Sequence, residues 1–123
     1  MQVAPRYPLD FPITVLTSDK VVWGISRNLS YTGLGLWLPN TGSLELGQIV
    51  NLVVRIGEPS GELRAVSLKI QVIWKKDEHC GVHILEMAPD DRSFYETMIE
   101  GYASLIDAEP FWWEDKENGR KAA

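Results

Sequence analysis

The sequence has little of what a secreted, membrane-spanning or metal-binding protein needs. Cys80 is the sole cysteine, which excludes an internal disulfide and leaves no thiolate cluster for zinc. No run approaches the roughly 20 apolar residues that cross a bilayer as a helix, so membrane insertion is not expected. The opening MQVAPRYPLDFP contains no apolar core of a signal peptide, and the expected location is the cytoplasm. Positive charge is short as well: 12 Lys and Arg against 17 Asp and Glu give a formal net charge of −5. Such a chain lacks the basic field that holds DNA, RNA or an anionic membrane. A small anionic ligand needs only one or two local arginines and stays open.

Catalytic signatures are missing too. There is no G-x-S-x-G elbow. Gly33-Leu34-Gly35 lacks the third glycine and the βαβ setting of a dinucleotide fold. His79 and His83 are four apart, but along a strand that is roughly 13 Å, too far for two ligands of one metal ion. Cys80 points to the opposite face of that strand. Neither an enzyme, a metal site nor a cofactor is expected.

What is present is strand pattern. The 123 residues suit one domain with one core. Phe11, Ile13 and Val15 alternate with polar or small neighbours, and KVVWGIS (20–26) follows a turn at Ser18-Asp19. Leu34, Leu36 and Leu38 alternate again until PNTG (39–42), a run of good turn residues. Val50, Leu52, Val54 and Ile56 share a face, and GEPSG (57–61) makes the next turn. Val66, Leu68, Ile70, Val72 and Trp74 keep strict period two, with Ser67, Lys69, Gln71 and Lys75 placed toward solvent. HCGVHILE supplies the last strand, with Cys80, Val82 and Ile84 on one face.

The period then changes. Pro89-Asp90-Asp91 offers a break, an N-cap and negative charge for a helix start. Phe94, Tyr95, Met98, Ile99, Tyr102, Leu105 and Ile106 recur at helical spacing. That stripe must bury itself across one end of a barrel or against a partner chain, which leaves a homodimer open. Pro110 ends the helical reading, and the tail carries Phe111, Trp112 and Trp113 before a charged end. Short strands closed by turns, then one helix, describe an all-β protein: a small antiparallel barrel that hides its edges.

One stretch stands out, SRNLSYTGLGL at 26–36. In an extended segment Asn28 and Ser30 project to one face. An amide and a hydroxyl there suit a guanine edge, and Gly33 allows a positive φ or the close approach of a ligand. An ordinary hairpin turn explains the same residues, and the stretch alone leaves both readings open.

With RYPLDFPITV before it and VIWKKDEHCGVHIL after it, the chain resembles the PilZ family over about residues 6–106. That family carries R-x-x-x-R near its N-terminus and [D/N]-x-S-x-x-G some twenty residues later; Asn28, Ser30 and Gly33 complete the second motif. The resemblance implies a six-stranded antiparallel β-barrel with a C-terminal α-helix. It also implies a ligand, the bacterial second messenger cyclic di-GMP, with Asn28 and Ser30 on a guanine. Arg6 aligns with the second arginine, whose planar fork grips a phosphate or a guanine edge. Gln2 stands where the family places its first arginine, and Arg27 is the candidate to replace that charge.

The resulting expectation is a non-catalytic receptor or adaptor whose flexible arm, residues 1–10, closes over cyclic di-GMP. Residues 11–106 form the barrel and helix, and 107–123 an aromatic then charged tail. The alternative is a degenerate PilZ domain that binds no nucleotide. It would serve motility or type IV pilus function through contacts with an unidentified protein partner, using Tyr102, Phe111, Trp112 and Trp113 as anchors.

Overall fold

Alternation of apolar and polar residues builds six strands: β1 (Pro12–Leu16), β2 (Val21–Leu29), β3 (Gly33–Trp37), β4 (Ile49–Gly57), β5 (Leu63–Lys76) and β6 (His79–Met87). A single helix, α1 (Pro89–Ala103), follows. The computed structural model describes residues 7–39, 44–57 and 61–105. The strands close into a barrel in the order β1-β2-β3-β6-β5-β4, with β4 returning to β1. Every neighbouring pair is antiparallel. The all-β, six-stranded barrel with a C-terminal helix is therefore the fold.

The barrel is filled from the expected faces. Ile13, Val15, Leu34, Leu36, Val50, Leu52, Val54, Ile56, Val66, Leu68, Ile70, Val72, Cys80, Val82 and Ile84 are all buried in one cluster. Each such aliphatic side chain contributes about 1.5–3 kcal/mol when removed from water. Cys80 lies inside this cluster, and burial pushes its thiol up to about 12, with Lys75 opposing the shift.

The β5–β6 hairpin departs from a regular ladder. β5 pairs with β6 through two register shifts, between Lys69 and Ile70 and between Val72 and Trp74. The second shift inserts Ile73 as an extra residue, and a bulge of that kind reverses the faces beyond it. Ile73 is exposed. Trp74 pairs with Gly81, whose neighbours Cys80 and Val82 both point inward, so Gly81 and Trp74 share the outer face. Trp74 leaves the inward row that the sequence pattern gave it. Lys75, expected in solvent, instead turns its ammonium to donate to the carbonyl of Leu44.

The helix start also differs from expectation. Ala88 is the N-cap and makes no side-chain cap; Pro89 opens the helix, where its missing N–H costs nothing. Asp90 and Asp91 fall in the first turn, where negative charge suits the dipole. Tyr95 and Ile99 are buried in the core, so α1 plugs one end of the barrel. Arg64 of β5 clamps the helix start, its guanidinium 4.4 Å from the Phe94 ring centroid and 3.4 Å from Asp91. No helix among the described residues is long and apolar enough to cross a membrane. Ile106 and the tail aromatics Phe111, Trp112 and Trp113 lie outside the described residues.

Candidate functional site

The stretch SRNLSYTGLGL forms the β2–β3 hairpin, and a bulge sets its geometry. Ser26 pairs with Leu36 and Asn28 with Gly35, so Arg27 is the unmatched residue. A bulge disrupts the ladder locally and re-aims the side chains beyond it. Here the Gly35 N–H donates to Asn28 Oδ1 at 3.0 Å. Glycine is required at 35, because a Cβ there would stand 2.6 Å from that oxygen. Asn28 is fully buried.

Ser30 closes the turn. Its N–H donates to the Gly33 carbonyl at 2.9 Å. Its Oγ accepts from the Gly33 and Thr32 N–H groups at 3.1 and 3.3 Å. The same hydroxyl donates to Gly33 O at 3.2 Å. Ser30 is buried as well. Among the described glycines a positive φ occurs at Gly47 and Gly61, so Gly33 serves the turn without one. The turn is pinned from below by Tyr95 of α1, whose hydroxyl donates to the Ser30 carbonyl at 2.7 Å.

The segment before β1 continues its line along β2. Tyr7 N–H donates to Leu29 O at 2.8 Å, and Leu29 N–H to Tyr7 O at 3.0 Å. Ser26 N–H donates to Phe11 O at 2.8 Å. The Ser26 hydroxyl accepts from Phe11 N–H at 2.8 Å and donates to Leu9 O at 2.7 Å. Within the expected arm of residues 1–10, the described part from Tyr7 onward is thus tied to β2. Arg6 and Gln2 lie outside the described residues. Phe11 meets Tyr102 of α1 edge to face, ring centroids 6.5 Å apart.

Arg27 sits at the surface on the bulge. Its nearest carboxylate is Asp10 at 3.8 Å, with both side chains more than half exposed. Such a pair is weak and easily exchanged, so the guanidinium can serve an incoming anion.

One row crosses four strands: Asn28 pairs with Gly35, Gly35 with Gly81, and Gly81 with Trp74. Two glycines stand in that row between an amide and an indole, and both are buried. Trp74 covers Gly81, where a Cβ would meet the Trp74 side chain at 3.6 Å, and only 9% of Trp74 is exposed. Gly35, Gly81 and Trp74 were not singled out as site residues from the sequence. The glycines at 35 and 81 were a visible signal, but strict alternation sent Trp74 to the core.

The sequence matches the PilZ domain family over residues 3–101. The chain belongs to the PilZ domain family. PilZ domains are non-catalytic receptor and adaptor domains. Among solved structures, the inhibitor of motility MotI/DgrA of Bacillus subtilis is similar, with a TM-score of 0.64 and 18% identity. That match covers 76% of this chain and 46% of MotI/DgrA, so the chain spans about half of that protein's length. The PilZ domain of CeSA from a cellulose-synthesizing bacterium matches with a TM-score of 0.58 and 14% identity, over 80% of this chain and 97% of that domain. At these identities the likeness is one of fold. No curated protein sequence matches the chain.

Proposed function

We propose that this PilZ protein is a cyclic di-GMP receptor and adaptor, without catalytic activity, that signals through closure of its N-terminal arm. The observation that carries the reading is the Tyr7–Leu29 bridge. Leu29 lies between Asn28 and Ser30, and Arg6 is one peptide unit, ~3.8 Å between Cα atoms, from Tyr7. The bridge supports the reading by bringing the end of the N-terminal motif, through the chain itself, to the strand that carries the second motif. In this reading the bridge is the hinge, and the residues before Tyr7 close over the nucleotide. Asn28 and Ser30 meet a guanine, Arg6 grips a phosphate or the guanine edge, and Arg27 supplies a second cation.

Gln2 lowers the affinity. A hydrogen bond to a charged group is worth about 1.5–3 kcal/mol, roughly ten- to somewhat over a hundredfold in Kd. Titration calorimetry of the chain with cyclic di-GMP at low and moderate salt, with GTP as control, tests the proposal. Specific heat with the cyclic dinucleotide alone supports it, and a flat isotherm at high ligand rejects it.

A second reading rests on a different observation. Asn28 Oδ1 and the Ser30 hydroxyl already serve the hairpin, and both residues are buried. A domain that kept the motif for its turn alone would act through protein contacts, in motility or pilus function, with an unidentified partner. The flat isotherm is its signature.

A further inference from the structure

The outer side of α1 carries an apolar groove that the barrel does not use. It holds about 500 Å³ and is bordered by Phe94, Met98, Tyr102 and Leu105, with Gly57 and Gly101 leaving its floor open. Phe94, Met98 and Tyr102 are only partly covered by the core. Leu105 is 78% exposed. A Cβ added at Gly101 would meet nothing within 4 Å.

The groove starts where the described residues stop. Beyond Leu105 come 18 residues, with Phe111, Trp112 and Trp113 near the start. Six residues reach at most about 20 Å, while eleven helical residues from Phe94 to Leu105 span about 16 Å. The aromatic triplet can therefore reach any part of the groove, and a tether this short gives it an effective concentration in the millimolar range. Pro110 forbids a continued helix and permits the chain to reverse. Phe and Trp side chains each bury about 150–250 Å², surface that an apolar groove accepts. A tail running back along α1 would bring Glu114 and Asp115, which follow Trp113, toward Arg64, stacked on Phe94 at the far end.

We propose that the α1 groove is the docking site of the chain's own aromatic tail, with Phe111, Trp112 and Trp113 seated over Met98, Gly101 and Tyr102. The tail then packs on the same helix that Phe11 meets at Tyr102.

The test uses the whole chain labelled at its methionine methyl groups, which number three: Met1, Met87 and Met98. Expected are Overhauser contacts from the Met98 methyl to indole protons that vanish in the Trp112→Ala/Trp113→Ala chain. The Met98 resonance should move in that variant while Met87 stays. Gly101→Glu, which adds charge to an open floor without a clash, should move Met98 the same way with the tail intact. A Met98 signal unchanged by both variants overturns the proposal and leaves the groove to another protein. Contacts that disappear on dilution also overturn it, since they would come from a second copy.

Discussion

Tyr95 and Ser30 are 65 residues apart and joined by one buried hydrogen bond, phenol to carbonyl, at 2.7 Å. The bond ties the turn of the Asn28-Ser30-Gly33 motif to the middle of the helix that plugs the barrel. At the next turns of α1, Tyr31 of the same loop reaches Glu100 at 3.5 Å and Phe11, just after the expected arm, packs on Tyr102. Motif, arm and helix thus form one connected unit, and a ligand that repacks the arm has a physical route to the helix surface.

Tyr95→Phe removes the donor and leaves the Ser30 carbonyl buried. The ring still fills its place, so the loss is that of one hydrogen bond and its unsatisfied partner, about 1–3 kcal/mol. Urea unfolding should show a lower midpoint with an unchanged slope. An unchanged midpoint would mean that water replaces the phenol.

Asn28 and Gly35 should be energetically coupled. Gly35→Ala puts a methyl group 2.6 Å from Asn28 Oδ1, which forces the amide away and should cost about 1–3 kcal/mol. Asn28→Ala leaves the Gly35 N–H without its acceptor, at a similar cost. The double variant removes both the clash and the amide, so its loss should fall short of the sum of the single losses by more than about 0.5 kcal/mol. Simple additivity in chemical denaturation would contradict the contact.

The barrel could be read from the chain because period-two alternation is local: Val66 to Val72 show their inward face in four residues. Trp74 could not, since the parity change at Ile73 is set by its pairing with β6 across the hairpin and has no mark in its own segment. The same holds for the motif. Asn28, Ser30 and Gly33 were legible as a pattern, but their atoms' use inside the hairpin depends on a bulge at Arg27 that spacing does not announce. Nor could the sequence show that Tyr7 and Leu9, part of the expected free arm, would be held by Leu29 and the Ser26 hydroxyl.

Cys80 should make stability fall at high pH. Its thiol is raised to about 12 in the fold, against about 8.5 in an unfolded chain. Below about pH 8.5 both states hold the proton and the thiol adds no slope. Between the two values the folded state binds more protons, so stability declines as pH rises, by up to about 1.4 kcal/mol per unit. Cys80→Ala should show a shallower decline between roughly pH 9 and 11 than the unmodified chain. Equal slopes would mean that the thiol reaches solvent.

Charge at the arm should decide nucleotide affinity. Arg6→Ala removes the cation one residue before the Tyr7–Leu29 bridge, and should weaken cyclic di-GMP binding roughly ten- to a hundredfold. Gln2→Arg supplies the missing guanidinium and should strengthen binding by a similar factor. Ser30→Ala should weaken binding too, but its hydroxyl also closes the turn, so its folding must be checked alongside. Arg27 is the discriminating residue, because only a weak surface contact to Asp10 holds it. If Arg27 stands in for the absent arginine, Arg27→Ala should weaken binding strongly in the Gln2 chain and less once residue 2 is arginine. Equal losses in both backgrounds would show that Arg27 acts independently. A Gln2→Arg chain with unchanged affinity would place the arm's motif in a different register from Arg6.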